Sequence, residues 1–373
     1  MKKHIAKLLA AVAVTWLGGS AVASEPCSTC VSDQPAAKGG WYASAGVLYL
    51  KQVGSNDVAY SATAFSPIDE NGGTTRLGTT VSNFDHEYHW GGRAEVGVKD
   101  CSGFGLRVKY FQFNDSSTTT FVDNQGVQSD DRFPGFAYNQ ISGIQYRSAA
   151  PLGVGFSSVG TDTAPSLFQA DRSLQIRALD FDLTSDCRYG CLEVTWFAGI
   201  RWMQIDQSYN ASDTIIDPFA LQFPNVIPIQ QTLNSNQSLS AWGPTIGVEA
   251  RYPVADHLKA FGSARFGILH AEGNQRVDVH EVPLDASTYQ PLIALSYGAQ
   301  NSRCVGLPIG ELELGGEYSK CLGCDGPELF VRGSVLSQAY WGAGNAARVS
   351  SNNSPGNNDL FLFGFALDIG VRY

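Results

Sequence analysis

Ten segments of this chain alternate apolar and polar residues with a period of two. In the clearest of them, at the C-terminus, every odd position from Phe361 to Tyr373 is apolar and every even position from Gly364 to Arg372 is small or charged. Successive side chains of a β-strand point to opposite faces, so this pattern predicts strands with one apolar and one polar face. Most segments exceed the roughly five or six residues that are usual in soluble sheets. The ten segments are 41–51, 84–99, 104–113, 173–184, 191–205, 238–252, 258–271, 307–319, 328–340 and 361–373.

The links between these segments alternate strictly between long and short. Of the nine links, four have about 4 to 8 residues and the other five have about 17 residues or more. Loops of globular domains have a median of about 4 to 6 residues, whereas outer-membrane barrels combine short periplasmic turns, long outer loops and an even strand number. We therefore predict an all-β fold, a transmembrane antiparallel up-and-down β-barrel of about 10 strands (8–12) over residues 41–373. The second outer loop, 114–172, folds into the lumen, sits on top of it or hides another hairpin; the sequence does not choose.

The N-terminus has the pattern of a secretory signal peptide. Lys2 and Lys3 precede an apolar run over residues 5–17, and a small-residue motif ends at Ala23. We expect cleavage after Ala23, followed by a periplasmic segment over residues 24–40. A retained helical anchor needs about 20 apolar residues, and this run is shorter.

Composition excludes several other classes of protein. Charged residues make up 16% of the chain and the mean hydropathy is −0.10, which excludes both a helical membrane bundle and a disordered protein. The isoelectric point of about 5.0 argues against nucleic-acid binding. Without residues 1–23 the chain keeps 22 basic and 35 acidic residues, a net charge of −13. We place most of this charge in the outer loops, where Asp115 is one of the acidic residues.

The polar faces of the ten segments line the predicted lumen. Their acidic and basic residues nearly balance, at eleven against ten. A barrel of about 8 strands is filled by side chains and one of about 16 to 18 holds a wide channel, so ten strands predict a narrow interior. Two interpretations stay open: the charges line a narrow or gated pore, or they form a network that holds a closed barrel together. The predicted lumen-lining residues are Asp85, Glu87, His89, Arg93, Glu95, Lys99, Arg107, Lys109, Asp180, Asp182, Glu193, Arg201, Glu249, Arg251, Lys259, Arg265, Glu311, Glu313, Glu317, Arg332, Asp368 and Arg372.

The fourth segment changes phase along its length. Its apolar positions are first even, at Leu174 and Ile176, and then odd, at Phe181 and Leu183. A β-bulge inserts one extra residue into a strand and thereby exchanges the faces on which the following side chains lie. We therefore predict a bulge near Ala178.

No cluster of residues predicts catalysis, a cofactor or a metal site. His86 and His89 point to opposite faces if they lie on a strand, so we do not expect them to chelate a metal together. Glu87 and His89 share the lumen face, and we assign both to the charged network. We expect that the protein is not an enzyme. An outer-membrane hydrolase, which needs an activated nucleophile or paired acidic groups, is the less favoured alternative.

All eight cysteines follow the predicted signal peptide, and exported thiols meet an oxidising compartment. Seven map to the periplasmic end of the barrel, where we predict disulfides rather than zinc or redox sites. Cys304 maps to the outer side, so either it is free or the strand boundary near residues 300–307 is wrong. The candidate disulfide cysteines are Cys27, Cys30, Cys101, Cys187, Cys191, Cys321 and Cys324.

Three segments resemble a known bacterial family. GPTIGVEARY (243–252), LDFDLTSDCRYGCLEVTWFAGIRW (179–202) and LFGFALDIGVRY (362–373) are similar to the Legionella-type pore-forming major outer membrane proteins. The resemblance extends over most of the chain beyond Ala23. It implies a pore-forming barrel in the outer membrane of a diderm bacterium, without catalytic residues. The ending Asp368-x-Gly370-x-x-Tyr373 also resembles the signal by which the barrel-assembly machinery recognises the last strand.

The pattern and the resemblance together predict a function. We expect an outer-membrane barrel with a narrow or gated pore for small solutes or ions and a weak preference for cations. A closed structural or adhesive barrel that acts through its outer loops is the alternative. The expected partners are outer-membrane lipid, the barrel-assembly machinery and small solutes or ions, with no nucleic acid and no cofactor. The transported solute and the oligomeric state stay open.

Overall fold

The structure is a computed structural model of the chain. It describes residues 39–53, 58–65, 76–123, 145–148, 155–158, 166–215, 229–283, 293–322, 326–344, 346 and 359–373. All the regular secondary structure within these ranges is β-strand. None of the described residues forms a helix long and apolar enough to span a membrane. The strands are β1 (Gly40–Gln52), β2 (Val58–Phe65), β3 (Arg76–Asn83), β4 (His89–Lys99), β5 (Phe104–Asp123), β6 (Gln145–Ser148), β7 (Gly155–Ser158), β8 (Ser166–Tyr189), β9 (Leu192–Ile215), β10 (Ile229–Ala255), β11 (Leu258–Pro283), β12 (Leu295–Cys321), β13 (Glu328–Tyr340) and β14 (Leu360–Arg372).

Ten of these strands form a closed antiparallel barrel. Around the barrel the order is β1, β4, β5, β8, β9, β10, β11, β12, β13 and β14, and β14 pairs back with β1. Each barrel strand therefore neighbours the barrel strands before and after it in the chain, which is up-and-down topology. The predicted fold class and the predicted number of strands are confirmed. Closure leaves no unpaired strand edge, the condition for a sheet to cross a bilayer.

The links of the barrel also alternate in length as predicted. The short links are 100–103, 190–191, 256–257 and 322–327, and the long links are 53–88, 124–165, 216–228, 284–294 and 341–359. The short β6 and β7 lie in the second long link and pair with each other. With β2 and β3 of the first long link they form a separate four-stranded sheet in the order β3-β2-β6-β7. The second loop thus contributes a hairpin outside the barrel, and the twelve-strand alternative is wrong.

One of the short turns shows how the sequence ends a hairpin. Asp100 Oδ1 accepts hydrogen bonds from the Ser102 hydroxyl at 2.6 Å and from the backbone N–H groups of Ser102 and Phe104 at 2.9 Å each. These bonds, with that of the Ser102 hydroxyl the largest, hold the pKa of the Asp100 carboxyl below its usual value. Gly103 has a φ of 87°, a conformation that favours glycine.

The outward face of the barrel carries an apolar belt. Ile200, Ile246 and Ile369 are 55–62% exposed, although large apolar residues are usually buried in soluble proteins. Exposed aromatic residues bound this belt at both ends, Trp90, Trp202 and Trp242 on the loop side and Trp41, Tyr252, Tyr318 and Tyr373 on the turn side. About ten tilted residues separate the two levels on β9, which matches an apolar band of roughly 25 Å. The belt is the lipid-facing surface of the barrel.

The wall is much taller on one side. Strands β5 and β8 to β12 have 20 to 27 residues, whereas β1, β4, β13 and β14 have 11 to 13. The extra length of the six long strands lies beyond the loop-side aromatic residues. The sequence segments are shorter than these strands because the outward face turns polar beyond the loop-side aromatic residues, and the apolar outward face that defines each segment ends there.

The predicted bulge near Ala178 is wrong. The register of β8 with β5 runs without a shift from Ser185, opposite Phe104, to Ser166, opposite Asp123. Instead, the two faces of β8 change their character at this height. Leu174 and Ile176 point into a lumen that is apolar on the loop side, whereas further down the apolar residues face lipid.

Candidate functional site: the barrel lumen

The turn-side half of the lumen is a layer of charged side chains. The structure places most of the predicted lumen residues in this layer, and their guanidinium and carboxylate groups contact one another across the barrel. Charges are tolerated in a buried barrel interior only when they are paired, so the ion pairs determine whether this layer is stable. The members that are buried are Arg93, Arg107, Asp180, Asp182, Arg201, Glu249, Arg265, Glu313, Glu317 and Asp368. Half-buried members of the same layer are Glu95, Lys109, Arg251, Glu311, Arg332 and Arg372.

Arg93 on β4 joins two distant strands. Its Nη1 and Nη2 donate to Glu313 at 3.0 and 2.6 Å, and its Nε donates to Asp368 Oδ1 at 2.7 Å, with a further contact between Nη2 and Asp368 Oδ2. Gly46 lies in register with both Arg93 and Asp368 on the strand between them. A Cβ at residue 46 would collide with the Asp368 carboxylate. Because glycine has no Cβ, residue 46 leaves space for the ion pair between Arg93 and Asp368.

Gly46→Ala is expected to lower the free energy of unfolding of the barrel by about 2–3 kcal/mol, because it pushes Asp368 away from Arg93 and leaves a buried charge poorly paired. The matched control is Gly333→Ala, since a Cβ there meets no atom within 4 Å. Urea titrations of both refolded variants, followed by tryptophan fluorescence, measure the difference. Equal midpoints for the two variants would remove the special role given to Gly46.

Asp182 is shared by two arginines that stack on one ring. Arg107 donates to Asp182 from Nε at 3.0 Å and from Nη2 at 2.9 Å, and Arg265 Nη2 donates to the same carboxylate at 2.7 Å. Both guanidinium groups lie over the ring of Phe197, at 4.2 and 4.7 Å from its centre. Cation–π attraction and ion pairing therefore act on the same two side chains. The sequence interpretation missed Phe197, although its odd position on β9 places it on the lumen face.

Arg201 is the most deeply buried cation of the layer, at 1% exposure. It donates to Asp180 from Nε at 2.5 Å and from Nη2 at 2.7 Å, a bidentate pair, and from Nη1 to Glu311 at 2.8 Å. Arg265 lies 3.3 Å from Asp180 and adds a second cation to this carboxylate. Three strands, β8, β9 and β12, are joined through one guanidinium.

Further ion pairs lie toward the turn-side mouth. Glu317 accepts from Arg332 at 2.9 Å and from Arg372 at 2.7 Å. Lys99 pairs with Asp186 at 2.7 Å, and here both partners are partly exposed. The predicted lumen residues Lys259 and Glu193 pair at 3.1 Å in the same half-exposed zone, and Arg251 donates to Glu249 at 2.8 Å. One cavity between the charged side chains has about 30 Å³, room for about one or two water molecules, and a second cavity toward the turn-side mouth has about 130 Å³.

The residues around His86 differ from the prediction. Asp85 and Glu87 are exposed and lie before β4, so they do not line the lumen. Because the strand begins only at His89, the alternation of faces does not apply to His86. The two imidazoles meet at one carboxylate: His86 Nδ1 lies 3.4 Å and His89 Nε2 lies 3.0 Å from Asp115. Asp115, predicted in an outer loop, is buried on β5.

The loop-side half of the lumen is apolar, which the sequence interpretation did not predict. Inward residues from nine of the ten barrel strands, all except β4, pack here into one cluster, most of them fully buried. We call it the apolar layer. It closes the lumen directly above the charged layer. Its large members are Leu48, Leu50, Phe111, Phe113, Leu174, Ile176, Met203, Ile205, Leu239, Leu269, Leu307, Ile309, Leu336, Tyr340, Leu360 and Leu362.

The link that follows β13 turns into the barrel and covers the apolar layer. We call its described residues, 341–344 and 346, the latch. Ala343 and Ala346 are at most 1% exposed. Gln237 Nε2 donates to the carbonyl of Ala343 at 2.9 Å, Gln207 Nε2 to that of Gly344 at 3.1 Å and the Ser235 hydroxyl to that of Ala346 at 2.6 Å. Polar side chains of the tall wall thus hold the latch through its backbone.

Further contacts hold the latch from other sides. Arg303 Nη2 donates to the Ala343 carbonyl at 2.8 Å, and Gln275 Nε2 donates to the Ala346 carbonyl at 3.3 Å. The N–H of Gly342 donates to Asp359 Oδ1 at 3.0 Å. Gly344 has a φ of 92°, and a Cβ on it would collide with the side chains of Arg303 and Gln237. The inserted position therefore depends on glycine at residue 344.

The cysteines only partly match the disulfide prediction. Cys101, Cys187 and Cys321 carry free thiols in this structure of a single chain, contrary to the prediction for these three. Cys304 is also free and exposed, and β12 begins before it, at Leu295. Both explanations offered for Cys304 are thus correct. Cys191 is not among the free thiols. The remaining candidates, Cys27, Cys30 and Cys324, lie outside the described residues, as does the predicted cleavage site at Ala23.

The structure brings the charged network together but assembles no metal site from the described residues: no group of three or more His, Cys, Asp or Glu among them has suitable geometry. At the end of the chain, Asp368 faces the lumen within the network and Tyr373 is exposed beside Trp41, with ring centres 6.2 Å apart. Gly370 lies on the inward face, where a Cβ would collide with the ring of Phe330. The residues of the proposed assembly signal therefore also have structural roles in the barrel.

Comparisons with known proteins give a family. The family model described as Legionella pneumophila major outer membrane protein precursor matches residues 33–373. No curated protein sequence matches the chain. Among solved structures, the outer membrane protease OmpT from Escherichia coli is 10% identical with a TM-score of 0.39, and the match covers 90% of this chain and 96% of that one. A major outer membrane protein from Thermus thermophilus is 13% identical with a TM-score of 0.25, covering 90% and 99%.

A FadL homologue from Pseudomonas aeruginosa is 9% identical with a TM-score of 0.23, and the match covers 90% of each chain. The family model spans most of the chain, and the described residues form a closed ten-stranded barrel with an apolar outward belt. The chain belongs to the Legionella major outer membrane protein family and is a β-barrel of the outer membrane.

Proposed function

We propose that this protein is a narrow, gated pore for small ions and that the structure represents its closed state. The observation that carries the proposal is the change along the lumen from a charged layer to an apolar layer covered by the latch. A buried ion-pair network is often no more stabilising than apolar side chains of similar volume. The loop-side half shows that this barrel can be filled by apolar residues. Stability alone therefore does not account for the charges in the other half.

The two layers have separate roles in the proposed pore. The charged layer lines the route from the turn-side mouth and offers both signs of charge to a passing ion. The apolar layer blocks this route because an ion that enters it loses its water without gaining a partner. The latch is held by a few hydrogen bonds. Those from neutral side chains are worth only about 0.5–1.5 kcal/mol each and those with Arg303 and Asp359 about 1.5–3 kcal/mol each, so that its release is compatible with gating.

Gly344→Ala is expected to raise the fraction of time that the pore is open by about tenfold, because the added Cβ displaces Gln237 and Arg303 and frees the latch. The control is Gly342→Ala: Gly342 also has a positive φ, at 81°, but a Cβ on it meets no atom within 4 Å. Single-channel recordings in planar bilayers measure both variants and the parent protein. Silence of all three proteins would refute a pore, and equal opening of both variants would refute the latch as its gate.

The same recordings test ion preference. We propose a weak preference for cations, because the chain without its predicted signal peptide has a net charge of −13 while lumen charges nearly balance. In a tenfold gradient of potassium chloride, we then expect the reversal potential to shift from zero toward the equilibrium potential of potassium. A clear anion preference would contradict this part of the proposal and leave gating untouched.

The alternative is a closed barrel that acts through its outer loops. The apolar layer favours it, since its inward side chains are buried and pack together across the lumen. Absence of conductance in parent and latch variants, together with loss of cell attachment after removal of outer loops, would support this second function. We propose no catalytic activity, in keeping with the family. The partners proposed for either function are outer-membrane lipid and the barrel-assembly machinery, and export through a cleaved signal peptide is part of the proposal.

A further inference from the structure

The outward face of the tall side changes its chemistry at the level of Trp202 and Trp242. These two residues are cross-strand neighbours on β9 and β10 and are 41% and 60% exposed. Below them the outward residues are apolar. Above them the outward residues are mostly Ser, Asn, Gln and Thr. We call this upper part the polar wall.

A shallow recess of about 460 Å³ crosses the polar wall of β8 to β12. The outward side chains that line it carry hydroxyl and amide groups, which both donate and accept hydrogen bonds. They project from neighbouring strands, so their spacing follows the roughly 4.8 Å between strands. Among them are Ser173, Gln175, Ser208, Asn236, Ser238 and Asn274.

The charged residues of the recess are already bound within the wall. Asp206 accepts from the Ser238 hydroxyl at 2.6 Å and from Gln204 Nε2 at 2.8 Å. Arg276 donates from Nε and Nη2 to Asp278 at 2.8 and 3.2 Å. The recess therefore favours a neutral, hydroxyl-rich ligand over a phosphate or a metal ion. Sugar rings have this chemistry, and the apolar faces of sugars also stack on exposed aromatic rings such as that of Trp242.

The position of the wall identifies the source of the sugar. The wall continues the lipid-facing belt of the same strands, so its neighbours in the membrane plane are the headgroups above the acyl chains. Asn236 is six residues beyond Trp242 along β10. At the rise and tilt of a barrel strand this places it about 15 Å above the belt. We propose that this recess of the polar wall binds the core saccharide of the outer-leaflet glycolipid, lipopolysaccharide. This inference rests on the outer-membrane location and not on the proposed pore.

The test replaces three residues of the recess with alanine, Asn236→Ala, Ser238→Ala and Asn274→Ala. The control replaces three exposed polar residues on the outward face of β5, outside the recess, Ser116→Ala, Thr118→Ala and Thr120→Ala. Refolded proteins in detergent are titrated with core-containing lipopolysaccharide and with lipid A that lacks the core. A temperature-dependent shift in gel mobility verifies that each barrel is folded.

We expect the parent and the β5 control to bind core-containing lipopolysaccharide at least about tenfold more tightly than lipid A, and the recess variant to lose this preference. Equal binding of the two lipids by the parent would overturn the proposal, because the core sugars would then contribute nothing. Unchanged preference in the recess variant would overturn the assignment to this surface. Equally effective competition by soluble dextran would overturn recognition of the glycolipid and leave general sugar binding.

Discussion

Arg201→Met is expected to lower the free energy of unfolding of the barrel by about 3–5 kcal/mol. The guanidinium of Arg201 is 1% exposed and makes a bidentate pair with Asp180 as well as a hydrogen bond to Glu311. Methionine fills a similar volume but leaves the Asp180 and Glu311 carboxylates without this cation, beside a cavity with room for only about one or two water molecules. Unfolding in urea, followed by tryptophan fluorescence in lipid vesicles, measures the loss.

Two further variants separate the lost charge from the lost packing. Arg201→Met combined with Asp180→Asn removes one charge of each sign, and we expect it to recover more than half of the loss. Arg276→Met removes an arginine of similar size whose side chain is 69% exposed beside Asp278, and a surface pair of this kind contributes little to stability. A loss in Arg276→Met as large as that in Arg201→Met would show that the network is not what stabilises the lumen.

The repeating pattern of the sequence was sufficient for the barrel itself. Odd residues from Phe363 to Ile369 are exposed to lipid and the even residue Asp368 is buried in the lumen, as the alternation predicts. A period of two indicates which residues share a face, and the link lengths distinguish the end with short turns from the end with long loops. Both properties depend on residues that are close in the sequence, and for this reason they can be inferred from a single sequence.

The apolar layer could not be predicted in the same way. Leu174 and Leu183 both read as apolar strand residues, but one faces the lumen and the other lipid. Which of these occurs depends on what nine other strands place at the same height, a property of the closed barrel. The phase change at Ala178 was the visible signal, and interpreting it as a bulge hid the layer.

The predictions for the charged residues near the loops were wrong for a related reason. The faces of Asp85 and Glu87 were assigned by extending the alternation of β4 past its first residue, His89. Asp115 was assigned to a loop because β5 was taken to end at residue 113, whereas it continues to Asp123. Alternation gives the face of a residue only when the strand boundaries are known, and polar strand ends conceal these boundaries.

Replacement of the inward pair Leu269 and Leu307 by serine is expected to raise single-channel conductance at least severalfold above that of the parent. The two residues are opposite each other on β11 and β12, and both have 0% exposure in the apolar layer. Serine removes most of the side-chain volume and adds hydroxyls that hold water, whereas an apolar cavity of this size stays dry. Water in the layer gives an ion the partners that it lacks in the closed state.

The matched control replaces the same two residues by valine, which shortens both side chains and keeps the layer apolar. If apolarity closes the lumen, the serine pair conducts and the valine pair remains at the parent level. If the bulk of the two leucines closes it, both variants conduct. Each serine costs about 2–5 kcal/mol of unfolding free energy, as for other large-to-small changes in a core, so folded protein must be isolated before recording. A folded serine variant without added conductance would mean that the charged layer, rather than the apolar layer, blocks the lumen.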